Sequence, residues 1–292
     1  MRDVSTKLRA WTSFKSFSLF LSLIMLFAIQ TTAQDQGQYT PPPPPPPANQ
    51  APVPPAPPPG PVLAPDQLDH LVSRIALYPD PLLAQVLTAS TFWDQIPDAA
   101  AWANEHSYLK GDALANAIRE DNLQWDPSVL ALLPFPSVLD MMAQDPAWTQ
   151  QLGNAVLTQR GDVMDAVQRL RHEAKKYGYL SATPYDTVVE DSGYIEIEPV
   201  NPAYIYVPTY DPVIFWGLPR AGFFIRFGPG IVIGAGFAPW GWAHPRFLWG
   251  THEIFIDGTA WRRGWENRGF YVHPYEHPWV HGPGPRVEHH HR

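Results

Sequence analysis

The chain has 292 residues, including 35 Pro, 12 Trp and no Cys, and a formal net charge of -8 at pH 7. The lack of Cys excludes a disulfide framework and a Cys-ligated zinc or iron–sulfur site. The acidic balance argues against nucleic acid as a partner, because an acidic surface repels phosphate. An aromatic content of 13 % excludes a wholly disordered chain.

Residues 1–33 have the composition of an export signal. Four basic residues precede the apolar run Phe17 to Ile29, and small residues follow it up to Ala33. The run is shorter than the ~20 residues of a membrane span, so we expect cleavage before Gln34 rather than an uncleaved anchor. We expect no transmembrane span after cleavage. Because no Cys follows the run, we expect a periplasmic or cell-envelope protein that is not a lipoprotein.

Residues 34–65 form a Pro-rich segment that holds 15 of the 35 prolines, seven of them consecutive from Pro41 to Pro47. Proline has no backbone N–H to donate, so this run favours neither a helix nor a sheet. The segment predicts a disordered, extended polyproline II spacer. The alternative is a docking site for a proline-binding module.

Residues 66–182 have the pattern of a helical domain with about seven short helices. Apolar residues recur at helical spacing throughout it. The longest apolar stripe consists of Val163, Ala166, Val167, Leu170, Ala174 and Tyr177. Gly178 follows two lysines, which is typical of a helix C-terminus.

Residues 183–272 predict a small, irregular β region rich in Gly and Trp. Short β-prone runs include 187–189, 194–197, 204–207, 231–233 and 253–256. Asp257-Gly258 follows the last run and predicts a tight turn. The chain is therefore expected to be an α+β protein, a helical array followed by strands.

Four segments resemble the bacterial domain-of-unknown-function family 3300, and together they cover about residues 66–217. They are LDHLVSRIALYPDPLLAQVLTAS from Leu68, WDPSVLALLPFPSVLDMM from Trp125, WTQQLGNAVLTQRGDVMDAVQRLR from Trp148 and VPTYDPVIFWG from Val207. The resemblance implies an exported or envelope protein with a variable Gly-, Trp- or His-rich tail. It assigns no activity, cofactor or catalytic residue.

Four aspartates directly precede proline: Asp80, Asp126, Asp145 and Asp211. Aspartate followed by proline is typical of a helix start, where the carboxylate caps the helix and proline takes its first position. The alternative is that two of these carboxylates act as general acid and base. We expect caps and turns.

Sequence signatures of nucleophilic and nucleotide chemistry are missing. The chain has no Gly-x-Ser-x-Gly motif, and His252-Glu253 lacks the second His of a zinc protease. The Gly-rich stretch Phe227 to Phe237 lacks the Lys of a phosphate-binding loop. We expect no nucleotide partner. If the protein is an enzyme, its catalytic residues stay unknown.

The β region contains a set of tryptophans that suggest stacking platforms for glycan or a protein partner. The candidates are Trp240, Trp242, Trp249, Trp261 and Trp265. The alternative is that these rings stabilise a weak, Gly-rich core, because each buries a large apolar area.

Residues 273–292 form a predicted flexible tail rich in His. Its candidate metal ligands are His273, His277, His281, His289, His290 and His291. Neutral imidazole binds Zn, Ni and Cu, so we expect at most weak binding of divalent transition metals here and no other cofactor. The alternative is a solvated polar tail.

These observations favour an exported cell-envelope protein that acts by binding or scaffolding, with an envelope protein or a cell-wall component as partner. The alternative is a hydrolase or transferase acting on cell-wall glycan or peptide material. An enzyme is expected to bring two carboxylates, or a carboxylate and a His, together in a cleft.

Overall fold

A computed structural model describes residues 62–217 and 224–280. The predicted signal peptide and nearly all of the Pro-rich spacer lie outside the described residues, as do four of the six tail histidines, His281, His289, His290 and His291. No helix of the described ranges is long and apolar enough to cross a membrane.

Eight α-helices occupy the described chain up to Lys176, close to the expected number. They are α1 Pro65–Val72, α2 Asp80–Ala89, α3 Ile96–Glu105, α4 Gly111–Glu120, α5 Pro127–Leu130, α6 Pro136–Gln144, α7 Pro146–Thr158 and α8 Arg160–Lys176. The apolar stripe of α8 faces the core, since Val163, Val167 and Leu170 are all buried.

Three of the four aspartates that precede proline cap helices, as predicted. Asp126 accepts a hydrogen bond from the Ser128 backbone N–H at the start of α5, and Asp145 accepts one from Trp148 N at the start of α7. Asp211 does the same for a short 3-10 helix, Pro212–Phe215. These carboxylates therefore fix the residues at which these helices begin.

In the described part of the chain, nine short strands follow the helices and pair into four small antiparallel sheets, β1–β2, β3–β6, β4–β5 and β7–β8–β9. The strands are β1 Asp186–Asp191, β2 Tyr194–Pro199, β3 Tyr204–Ile205, β4 Pro208–Thr209, β5 Arg226–Phe227, β6 Ile231–Val232, β7 Arg246–Leu248, β8 Glu253–Ile256 and β9 Thr259–Ala260. The predicted α+β class is confirmed.

Two hairpins, β1–β2 and β8–β9, turn through consecutive residues with left-handed backbone. Asp257 and Gly258 have φ of 53° and 70° between β8 and β9, which confirms the predicted turn. Ser192 and Gly193 have φ of 51° and 84° between β1 and β2. Positive φ at both central residues matches the right-handed twist of the flanking strands.

The helices and the strands share one hydrophobic core. Val167 of α8 belongs to the same buried cluster as Ile195 and Ile197 of β2 and Ile254 of β8. The composition change near residue 183 therefore marks a change of secondary structure within a continuous core. That residues 66–182 form a separate folding domain stays a prediction.

Candidate ligand-binding cleft

The Gly-rich stretch lies against helix α4 and forms one wall of a cleft. A Cβ atom on Gly236 would approach Ala115 Cβ to 2.9 Å, and one on Gly234 would approach Asp112 Oδ1 to 3.3 Å. Glycine at these positions lets the backbone pass close to α4. The physical role of the glycines is thus close packing.

Trp242 lines the cleft and is held from behind by the helical layer. Its Nε1 donates to the Ala131 carbonyl at 2.9 Å, and its ring stacks on Phe135 with centroids 5.5 Å apart. Gly241 precedes it with φ of 96°, and its carbonyl accepts from Gln85 Nε2 at 2.7 Å. These contacts fix the ring before any ligand arrives.

The cleft has a volume of about 540 Å³, which lies in the usual range of small-molecule sites. It lies between the end of β2, the segment from β6 to β7, and the start of α2. Most of its lining is apolar: Ile205, Ile233, Ala235, Ala238, Trp242, Pro81, Pro199, Pro202 and Pro245. Such a lining favours the faces of rings and other apolar groups.

Three polar side chains line the same cleft: Glu198, His244 and Arg246. Burial raises the pKa of Glu198 to about 7, and the nearby negative charges of Asp80 and Glu196 act in the same direction. The Glu198 carboxyl can therefore donate or accept a hydrogen bond near neutral pH.

The two basic groups of the cleft are exposed. His244 adopts a left-handed backbone with φ of 62°, a conformation that costs free energy in residues other than Gly and is common at functional sites. The Arg246 guanidinium lies 4.6 Å from the centre of the Phe255 ring. Together with Glu198, these groups give the cleft three side chains that can form hydrogen bonds.

Asp80 does not cap its helix, contrary to the prediction. Its carboxylate is 2 % exposed and pairs with Arg171, with 2.7 Å between Oδ1 and Nη1. Trp249 Nε1 donates to the other oxygen at 3.1 Å, and its ring lies 5.0 Å from the guanidinium. Burial with two strong donors explains why aspartate is found here.

Arg171 also holds the backbone that leads into the cleft. Its guanidinium is fully buried and donates to the carbonyls of Ala76, Tyr78 and Ile195 at 2.9, 3.0 and 2.7 Å. The first two lie just before α2, and Ile195 lies in β2. This network therefore positions Pro81 and strand β2, both of which line the cleft.

The five candidate tryptophans do not form one platform. Trp249 and Trp261 are 3 % and 9 % exposed, so neither offers a free ring face. Trp249 packs on the buried ion pair, and Arg160 lies 4.8 Å from the Trp261 ring. For these two residues the stacking prediction is wrong, because their rings build the core between helices and strands.

The other three tryptophans are half-buried and lie apart. Arg119 lies 5.8 Å from the Trp240 ring, and Arg268 lies 3.7 Å from the Trp265 ring. Trp242 alone among the five candidates lines the cleft. Stacking on a ligand stays a prediction for all three, and an arginine already lies over the rings of Trp240 and Trp265.

The two described tail histidines, His273 and His277, are exposed and lie beside Tyr275. Tyr275 tethers this segment, because its hydroxyl accepts from Trp125 Nε1 at 2.7 Å and its N–H donates to Asp94 Oδ2 at 3.1 Å. Residues 62–217 and 224–280 hold no group of three or more His, Cys, Asp or Glu side chains that could bind a metal ion. Metal binding by the whole tail stays a prediction.

A protein-family model and a protein of Escherichia coli both match the chain. Residues 64–277 match the model of the family described as "Protein of unknown function (DUF3300)". The chain is 35 % identical over 183 residues to "Uncharacterized protein YacH" from Escherichia coli (strain K12), a match over 52 % of this chain and 29 % of that protein. The chain thus spans less than a third of that relative's length. No solved structure matches the chain. The match over most of its length shows that the chain belongs to the DUF3300 family.

Proposed function

We propose that the protein is exported to the cell envelope and binds a cell-wall component in the cleft around Trp242. The observation that carries the proposal is a preformed, largely apolar cleft of about 540 Å³ in which the helical layer immobilises the Trp242 ring. A rigid aromatic floor binds a ring with little loss of conformational entropy. The predicted export signal and the predicted Pro-rich spacer support this location.

The chemistry of the cleft favours a glycan or a short peptide. Sugar rings stack on tryptophan through their apolar faces, and their hydroxyls exchange hydrogen bonds with carboxyl groups such as that of Glu198. Arg246 and His244 are placed to meet a carboxylate, which peptide stems and acidic sugars carry. These groups orient a ligand that the apolar walls hold.

Co-sedimentation of the chain from residue 34 with purified peptidoglycan sacculi tests the proposal. Arg246→Ala removes a cleft guanidinium and is expected to weaken binding about tenfold, as for one charge-assisted hydrogen bond. Arg226→Ala is the matched control, because Arg226 is also exposed in a short strand and also lies over a phenylalanine ring, at 4.8 Å. No sedimentation of the wild type, or equal loss in both variants, contradicts cleft binding.

A second candidate function is hydrolysis or group transfer on the same material. The specific observation is that Glu198, with its pKa raised to about 7, lines one cleft with His244. A carboxyl that titrates near neutral pH suits a general acid or base. Release of soluble fragments from sacculi by the wild type, lost in Glu198→Gln while binding persists, would establish this function in place of simple binding.

A further inference from the structure

Asp186, the first residue of β1, carries a buried carboxyl oxygen that has no hydrogen-bond partner among the described residues. The residue is 3 % exposed, and Oδ1 has no hydrogen-bond partner in the described part of the chain. Thr183 fixes its backbone, since Thr183 Oγ1 accepts from Asp186 N at 3.0 Å and Thr183 N donates to Asp186 O at 2.9 Å. A buried acceptor without a partner costs free energy and calls for an explanation.

The Asp186 side chain lines a small pocket that is separate from the cleft. The pocket has a volume of about 200 Å³, roughly that of seven water molecules in the liquid. Asp186 is the one charged residue among the described residues that line it, and most of the wall is apolar, including Leu77, Leu180, Ile225 and Phe227. No lining residue is shared with the cleft.

The hairpin that carries Asp186 adds a negative field around the pocket. Residues 186–199, which make up β1, its turn and β2, contain five acidic residues and no Lys or Arg; Glu190 is paired with Lys175 of α8, and the other four have no basic partner within the hairpin. Such a field raises the local concentration of cations and lowers that of anions. A ligand that enters here is therefore expected to carry positive charge at the Asp186 end.

We propose that this pocket binds a small primary amine, with its ammonium group on Asp186 and an apolar body against the wall. An ammonium offers three donors to the unpartnered carboxylate. Burial of an alkyl or aryl body against apolar side chains adds a hydrophobic gain that a hydrated inorganic cation lacks. A metal ion is a poorer fit, because one carboxylate among apolar residues cannot replace its hydration shell.

Titration calorimetry on the full chain at neutral pH tests the proposal, with n-pentylamine hydrochloride as the probe and 1-pentanol as its neutral counterpart. The amine is protonated at this pH, as lysine is. We expect saturable amine binding that Asp186→Asn weakens at least tenfold, with a less than twofold effect on the alcohol. Asp191→Asn is the matched control, since it removes the same charge from the exposed turn end of the hairpin.

Backbone amide shifts in the NMR spectrum keep the test decisive if Asp186→Asn alters the fold. In the wild type, the amine is expected to shift residues of the pocket wall such as Leu180 and Val188. Equal binding of amine and alcohol, equal loss in the two variants, or shifts elsewhere would overturn the proposal. The Asp186→Asn variant is expected to bind sacculi as the wild type does. Sacculus binding therefore tests the cleft independently of the amine pocket.

Discussion

At the scale of single residues, two buried carboxylates of the same part of the fold have opposite environments. Asp80 has an arginine and an indole N–H as partners, whereas Asp186 Oδ1 has none in the described residues. Burial without a partner raises the pKa of Asp186 to about 6, from 3.8 for an ordinary aspartate. Burial thus makes the charged form of the Asp186 carboxyl less favourable than it is in water.

Asp186 is expected to make stability depend on pH. Its folded pKa is above its unfolded pKa, so the folded state binds more protons, and the contribution present below pH 4 is lost as pH rises through about 6. The loss corresponds to about 3 kcal/mol in the free energy of unfolding. Urea unfolding from pH 4 to pH 7 checks this. The Asp186→Asn variant is expected to lack this loss of about 3 kcal/mol between pH 4 and pH 7, whereas Asp191→Asn is expected to retain it. An equal slope in Asp186→Asn and wild type would contradict it.

At the scale of elements, the local signals of the sequence carry most of the information. The apolar stripe of α8, the caps Asp126, Asp145 and Asp211, and the Asp257-Gly258 turn depend on neighbours a few positions apart, and all are found as predicted. Local spacing directly determines such features.

The cleft and the buried ion pair depend on partners far apart in the chain, and sequence pattern does not predict them. Asp80 and Trp249 are 169 positions apart and form a hydrogen bond. The Asp-Pro pattern suggested a cap, and a tertiary contact overrode it. For Glu198 a weak signal exists, because Ile195 and Ile197 alternate with two glutamates and place Glu198 on the face away from the core. No local pattern in the sequence shows that Pro81 and Arg246 line the same cleft as Glu198.

Helix α8 presents one buried face to the core. Val167→Asp places a charge at a position with 0 % exposure, and we expect a loss of more than about 4 kcal/mol or failure to fold. Lys175→Ala on the exposed face removes an ion pair with Glu190 and should cost under about 1 kcal/mol. Chemical denaturation of both variants checks the contrast, and comparable losses would refute the assigned helix face.

At the scale of the whole molecule, the helical and β parts complete each other. Arg171 of α8 donates to Ile195 of β2, and its partner Asp80 in α2 accepts from Trp249 beyond β7. The strands thereby satisfy polar groups inside the helical layer and cover its apolar residues. The helices in turn hold Trp242 and so shape the cleft.

Composition predicts that residues 66–182 fold on their own, whereas the shared core predicts that they fold poorly when alone. Without the strands, Arg171 and Asp80 lose three hydrogen-bond partners, and the apolar surface that packs on Ile195, Ile197 and Ile254 is exposed. Circular dichroism during thermal unfolding should show weak helicity and a broad transition, compared with a sharp one for residues 62–280. A sharp transition at the same temperature would show that the helices form an autonomous domain.

Chemical-shift mapping with soluble peptidoglycan fragments tests most directly the central claim that the cleft around Trp242 is the ligand site. If the cleft is the ligand site, saturable shifts are expected at the Trp242 indole N–H and at the amides of Gly234 and Ala238, which line the cleft. The chemical shift of the indole N–H reports on the position of the ring, because this group donates a hydrogen bond to the Ala131 carbonyl. Shifts confined to the segment from His273 onward, or the absence of saturable shifts, would contradict the account.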